Sequence, residues 1–124
     1  MESIKNYKDL MIWQRSIELV VSIYEILKKF PRIEDFNLTS QIRRAAVSIP
    51  ANIAEGFGRR TKKDYAQFLN ISRGSLYELE THLILASRFG YITGDELHKF
   101  ADEISQIGKM TNAFITKLED GGSR

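Results

Sequence analysis

The stretch LTSQIRRAAVSIPANIAEGF, residues 38–57, carries the repeat on which the fold prediction depends. Its apolar residues recur at intervals of four, three, four and four, which places them on one face of an α-helix; they are Ile42, Ala46, Ile49, Ile53 and Phe57. Pro50 lies in the middle, where a proline removes a backbone donor and kinks or breaks a helix. Because the repeat resumes in phase after Pro50, we predict a kinked but continuous helix with Asn37 as its N-cap.

Helical patterns also occur on both sides of this stretch. The first is predicted over about residues 9–30, between a possible N-cap at Asp9 and the stop at Pro31. The third is predicted over 62–89, where Thr61 begins a capping-box pattern and Gly90 is a natural C-terminal stop. The fourth is predicted over 94–118, after a capping box formed by Thr93 and Glu96.

The arrangement of these helices follows from the short links between them. The links are about three to seven residues long, and links of this length make neighbouring helices antiparallel. No alternating run or hairpin dipeptide predicts a strand. We therefore predict an all-α fold, an antiparallel up-down-up-down four-helix bundle that forms a single domain over residues 1–124.

The first predicted helix has more apolar surface than a lone bundle needs. Its apolar residues cover an arc of about 220° on a helical wheel, whereas a helix on the outside of a monomeric bundle needs an arc only somewhat above 100°. We therefore expect a second face to be buried against another copy of the chain. The interface residues predicted on this basis are Trp13, Leu19, Ile23 and Ile26.

Composition limits the classes of protein that the chain can belong to. The 124 residues include 43% hydrophobic and 27% charged residues, which favours a folded domain over disorder. No cysteine is present, so disulfides and thiolate chemistry are excluded. No signal peptide pattern is visible, and charged residues interrupt the most apolar stretch, residues 10–27. We predict a cytoplasmic protein without a membrane partner.

The distribution of charge points to a possible partner. The net charge is only +2, but residues 39–75 carry +5 and the remainder carries −3. The basic residues of this segment are Arg43, Arg44, Arg59, Arg60, Lys62, Lys63 and Arg73. Dense Lys and Arg suit the phosphates of a nucleic acid, and these seven are the predicted binding residues. A solvated turn beside a helix C-terminus, which favours cations, is the alternative interpretation.

Patterns for catalysis and for metal binding are weak. The chain has two histidines, and the nearest approach to a bundle metal motif is Asp95-x-x-His98, with His82 far from it in sequence. No nucleophile elbow is present, and mid-helix Ser72 and Ser75 are better explained by packing. We predict a protein that is not an enzyme and has no metal or cofactor.

A polar stripe beside the apolar face of residues 38–57 allows two interpretations. The stripe contains Arg44, Ser48, Asn52 and Glu55. One interpretation is a polar site between helices. The other is structural: Ser48 or Asn52 satisfies carbonyls freed by Pro50, and Glu55 pairs with an arginine.

Two stretches resemble the 23S rRNA intervening-sequence protein family. They are QIRRAAVSIPANIAEG, residues 41–56, and FLNISRGSLYELE, residues 68–80, and SIPANIAEG is the most specific part. The resemblance extends over roughly residues 7–118. It implies a bacterial four-helix bundle that assembles into a homopentameric ring, in a family whose members are often encoded within insertions in 23S rRNA genes and have no agreed activity.

The resemblance also implies two partner classes. A similar accessory protein of diversity-generating retroelements binds a reverse transcriptase and nucleic acid. One hypothesis is therefore an oligomer, expected to be a pentamer, that binds nucleic acid through the Lys and Arg residues of segment 39–75. RNA is the expected nucleic acid. The alternative is a protein-interaction scaffold that docks a partner enzyme such as a reverse transcriptase through exposed apolar residues of the first or fourth helix.

Overall fold

The computed structural model describes residues 4–122, with side chains to residue 120, and all regular structure in that range is helical. The long helices are α1 (Met11–Leu27), α2 (Leu38–Phe57), α3 (Lys62–Arg88) and α4 (Gly94–Gly122). Short 3-10 helices, Tyr7–Asp9 and Arg32–Glu34, precede α1 and α2. Each helix packs against its neighbour in sequence, and α1 also packs against α4. The all-α, up-down-up-down four-helix bundle is therefore confirmed.

The core of the bundle consists of buried apolar side chains from all four helices, including the predicted stripe of α2. Burial of one Leu or Ile side chain contributes about 1.5–3 kcal/mol, so the shared core is the main source of stability. Most of the Ile and Leu side chains with no exposed surface belong to α2 and α3, which makes this pair the centre of the fold. They are Ile42, Ile49 and Ile53 of α2 and Leu69, Leu76, Leu79 and Leu83 of α3.

Helix α1 is shorter than predicted at both ends because 3-10 turns replace its first and last residues. Asp9 ends the 3-10 helix, and Leu10 occupies the N-cap position without a side-chain bond, so the N-cap assignment of Asp9 is wrong. At the other end, the amides of Lys28, Lys29 and Phe30 bond to carbonyls three residues earlier. Pro31 has no backbone N–H group to donate the next hydrogen bond of the helix.

The interface prediction for α1 needs a correction. Leu19 and Ile23 are 3% and 0% exposed within a single chain, so they have no surface for a second copy. Trp13 and Ile26 are half-buried and pack against the core. The large apolar side chains of α1 that remain exposed are Met11 at its start and Val21 and Tyr24 further along. The wheel overestimated the free arc because α2 and α4 cover one flank of α1 each.

Helix α2 has the predicted bounds and continues through Pro50. Its start differs in detail from the prediction. Asn37 occupies the N-cap position, but its side-chain amide donates to the carbonyl of Ile33 and makes no capping bond. The Glu34 carboxylate instead accepts from the amide of Leu38 at 3.2 Å. The preceding 3-10 helix places Glu34 close enough to replace the expected cap.

The caps of α3 and α4 follow the predicted patterns. The Thr61 hydroxyl accepts from the Asp64 amide at 3.1 Å. Thr93 and Glu96 form a reciprocal capping box, with bonds of 2.8 and 3.1 Å. Gly90 has a φ of 83° and ends the α3 region, because glycine adopts a positive φ without steric cost. α4 runs to Gly122, beyond the predicted end at residue 118.

Within residues 4–122, no helix combines the length and the apolar character that a membrane crossing demands.

Candidate nucleic-acid interface

The link between α2 and α3 brings four basic residues together at one end of the bundle. α2 ends at Phe57, where the amides of Gly58 and Arg59 bond back to Glu55 and Gly56, and α3 begins at Lys62 after the Thr61 cap. The chain therefore reverses direction within residues 58–61. We name the resulting cluster the basic turn; it consists of Arg59, Arg60, Lys62 and Lys63.

Arg59 is held against the protein. Its guanidinium forms an ion pair with Glu55, one helical turn earlier. The central carbon of this guanidinium group lies 4.5 Å from the centre of the Phe68 ring, within the range of a cation–π contact. Arg59 is therefore partly neutralised and fixed in place, and its pairing with Glu55 agrees with the structural interpretation of the polar stripe.

The other members of the basic turn have free charge. Arg60, Lys62 and Lys63 are exposed, and none forms an ion pair with a carboxylate of residues 4–120. Asp64, whose amide donates to the N-cap Thr61, is the acidic residue nearest to these three in sequence. Unpaired surface cations gain most from a phosphate, because they lose no existing partner when they bind it.

The three remaining arginines predicted to bind nucleic acid lie away from the basic turn. Arg44 is exposed and Arg43 half-buried on α2, about 20 Å of helix rise before its end at Phe57. Arg73 lies about 16 Å along α3 from Lys62 and donates to the Asn112 side chain of α4 at 2.9 Å. The structure thus divides the seven predicted residues into one compact cluster and three separate positions.

Two polar residues missed by the sequence analysis lie beside the basic turn. Lys63, Gln67 and Asn70 are spaced by four and three, so they follow one face of α3. With Lys62 they line a cavity of about 390 Å³ between the start of α3 and the end of α4. The spacing was visible in the sequence, whereas the contribution of α4 was not.

The polar stripe of α2 joins α2 to α3. The hydroxyls of Ser48 and Ser75 lie 2.8 Å apart, and the Asn52 amide donates to the Ser48 hydroxyl and carbonyl at 2.9 Å. The Ser72 hydroxyl donates to the Ile49 carbonyl at 3.0 Å. The Ser48–Ser75 and Ser72–Ile49 bonds cross between the two helices, while Asn52 bonds to Ser48 within α2, so each of these polar groups has a partner, as a structural network requires.

Gly56 explains why the two helices approach so closely. A β-carbon at this position would lie 3.0 Å from Cβ of Phe68 and 3.0 Å from Cδ1 of Tyr65. Ser48, Asn52 and Gly56 all belong to the specific motif of residues 48–56. The motif therefore encodes the packing of α2 on α3.

Neither histidine belongs to a metal site within the described residues. No group of three potential ligands occurs there. His98 is exposed near the start of α4. Both ring nitrogens of His82 are buried without a hydrogen-bond partner in residues 4–120, as is the hydroxyl of Tyr65. Burial raises the pKa of Tyr65 to about 12, since the phenolate would lose its hydration.

Together, the fold and the basic turn define an all-α bundle with a cluster of basic residues at one end. The chain matches the family described as 23S rRNA-intervening sequence protein over residues 8–113, and it belongs to that family. It is also similar to the crystal structure of a protein of unknown function from the S23 ribosomal protein family of Bacteroides thetaiotaomicron. The two are 28% identical with a TM-score of 0.79, over 85% of this chain and 98% of that one. A comparison with curated proteins gave no match.

Proposed function

We propose that this protein is a non-enzymatic, homo-oligomeric, cytoplasmic RNA-binding protein that holds phosphates through its basic turn. The observation that carries the proposal is the set of exposed cations, Arg60, Lys62 and Lys63, which have no carboxylate partner within residues 4–120. The family description names a segment of 23S rRNA, which supports RNA as the nucleic acid. Contacts to phosphates alone make the binding dependent on salt and largely independent of sequence.

Oligomerisation strengthens such binding by repeating the basic turn. A homopentamer, the assembly implied by the family resemblance, would present five copies, and linked weak contacts raise the overall affinity without any new contact. The exposed apolar residues of α1 support self-association. Val21 and Tyr24 are 61% and 43% exposed and lie on one face, three residues apart. Trp13 and Ile26, each half-buried, remain candidate contacts at its edges.

The test is RNA affinity as a function of salt concentration. The variant Arg60→Glu/Lys62→Glu/Lys63→Glu leaves the Arg59–Glu55 pair and its contact with Phe68 intact. We expect this variant to abolish tight binding. The variant with three glutamines at these positions removes the charges without reversing them, and it should reduce the magnitude of the slope of log affinity against log salt by about 2 for a single strand. Fluorescence anisotropy with labelled RNA measures both effects.

A matched control separates local contacts from total charge. Arg32→Glu/Arg88→Glu/Lys99→Glu makes the same charge change at the opposite end of the bundle, where all three side chains are exposed. It should weaken binding far less than reversal of the basic turn. Equal losses in the two variants, or no loss in either, would contradict the assignment of the basic turn as the contact surface.

A second candidate function is supported by a groove between α1 and α4. The groove has a volume of about 650 Å³ and a largely apolar floor that includes Ile26 and Phe100. Along one side, Arg15 binds both carboxylate oxygens of Glu103 at 2.9 Å and links the two helices. An apolar groove between helices accepts the apolar face of a partner helix. On this alternative, the protein is a scaffold that docks an enzyme such as a reverse transcriptase.

The two candidates predict opposite mutational effects. Phe100→Asp would abolish capture of a retroelement reverse transcriptase by the scaffold and spare RNA affinity. Charge reversal in the basic turn would do the reverse. A pull-down and an RNA titration with both variants therefore discriminate between them.

A further inference from the structure

The cavity beside the basic turn has the size of a small-ligand site. Its volume is about 390 Å³, at the lower end of the range for ligand pockets. α3 contributes Lys62, Lys63, Ala66, Gln67 and Asn70, and α4 contributes Leu118 and Glu119. The two helices thus form a notch that is continuous with the free cations of the basic turn.

Its lining groups differ in chemistry from one end to the other. Lys62 and Lys63 offer only donors, which suit a phosphate. Gln67 and Asn70 each offer a donor and an acceptor, and no hydrogen bond within residues 4–120 uses their side chains. Ala66 and Leu118 supply apolar surface. A bare phosphate needs the lysines alone, whereas amides beside apolar surface suit the edge and the face of a base.

The spacing of these groups matches a ligand with two unlike ends. Asn70 lies seven residues after Lys63, a rise of about 10 Å along α3. Glu119 adds an acceptor to the lining. Its charge disfavours a phosphate beside it, but it can accept from a base amino group or a ribose 2′-hydroxyl.

We propose that the α3–α4 notch binds one unpaired nucleotide of an RNA strand, with its phosphate on Lys62 and Lys63 and its base edge on Gln67 and Asn70. This inference rests on the proposed RNA-binding function and adds a preference to it. Base edges are available to side chains where the strand is single or the base is splayed out, and they are much less available within a duplex. The basic turn alone binds both forms of RNA; the notch makes the protein prefer single strands, bulges or ends.

The experiment compares a labelled single-stranded RNA with a blunt duplex that contains the same strand. In the variant Gln67→Ala/Asn70→Ala, the lost amide contacts should weaken single-strand binding about tenfold and leave duplex binding unchanged. Gln41→Ala, which removes an exposed glutamine of α2, is the control and should change neither. Circular dichroism checks that the variants keep the helical fold.

A second measurement tests the notch without an RNA chain. Adenosine monophosphate should shift the NMR signals of the Gln67 and Asn70 side-chain amides, while inorganic phosphate at the same concentration should not. Unchanged amide signals with the nucleotide, together with a single-strand affinity of the double variant equal to that of the parent protein, would overturn the notch but leave the basic turn in place. If reversing the charges of the basic turn changes neither RNA affinity, the proposed function fails instead, and the nucleotide titration still decides on the notch.

Discussion

Gly56 of α2 lies so close to Phe68 of α3 that a β-carbon at position 56 would come within 3.0 Å of the Phe68 Cβ. Gly56→Ala should therefore lower the free energy of unfolding by about 1–3 kcal/mol, because the helices must move apart. Gly74→Ala is the matched control, since nothing lies within 4 Å of the added carbon, and it should raise stability by about 0.5–1 kcal/mol. Urea denaturation measures both; equal effects would show that the contact is unimportant.

The hydroxyl pair of Ser48 and Ser75 gives a second prediction about the same helix pair. Ser75→Ala should lower the free energy of unfolding by about 1 kcal/mol, because it removes a hydrogen bond from a largely buried site. A double-mutant cycle with Ser48→Ala should give a coupling energy of at least about 0.5 kcal/mol. Ser105→Ala, on the exposed face of α4, is the control and should show no coupling to Ser48.

The buried hydroxyl of Tyr65 predicts behaviour at alkaline pH. Its folded-state pKa, about 12, lies above the ordinary value of 10, so the free energy of unfolding does not depend on this group's titration below pH 10 and falls as the pH rises from 10 towards 12. Phenolate absorbance should show one tyrosine that titrates with this delay, and Tyr65→Phe should remove it. Because the hydroxyl has no partner in residues 4–120, Tyr65→Phe should also raise stability at neutral pH by about 1 kcal/mol. A loss of stability in Tyr65→Phe would contradict this prediction and indicate that the Tyr65 hydroxyl forms a hydrogen bond.

The hydrogen bonds of Glu96 predict how the stability of the protein changes at acid pH. The hydrogen bond from Lys29 and then the amide of Thr93 lower the pKa of this carboxyl below its ordinary value. The linked stability is present above pH about 4.5 and is lost as the pH falls through the lowered folded-state pKa. Denaturation midpoints measured against pH should therefore fall less steeply in Glu96→Gln than in the parent protein. Glu78→Gln, an exposed change on α3, should retain the parent slope.

The exposed stripe of α1 predicts the effect of mutation on assembly. If Val21 and Tyr24 are buried between copies, Val21→Glu/Tyr24→Glu should convert the oligomer to a folded monomer, because two charges cannot be buried there unpaired. Ala113→Glu/Thr116→Glu makes the same pair of changes, also three residues apart, on the exposed face of α4 and should leave the oligomer intact. Sedimentation velocity measures the masses. A monomeric parent protein at micromolar concentration would refute the assembly.

Much of the fold was predictable because its signals are local. The caps at Thr61 and Thr93 were identified correctly, since each depends on residues one helical turn apart. Asp9 is not the N-cap of α1, because it ends a 3-10 helix and Leu10 takes that position. Asn37 does occupy the N-cap position of α2, but Glu34 of the preceding 3-10 helix accepts the bond from the Leu38 amide in its place. On α1, the periodicity showed which residues are apolar, but it could not tell which of them the neighbouring helices would cover.

For the candidate site, sequence separation set the limit of prediction. The basic turn could be recognised from the chain alone because its residues are consecutive or nearly so, and short-range neighbours stay neighbours in any fold. The helical periods and the short links likewise favoured a bundle, in which the apolar faces of neighbouring helices pack together. Leu118 and Glu119 come beside Lys63 and Gln67 because α4 packs antiparallel to α3, and that placement depends on how whole helices pair. The notch, and the choice between the covered and the free faces of α1, therefore came from packing.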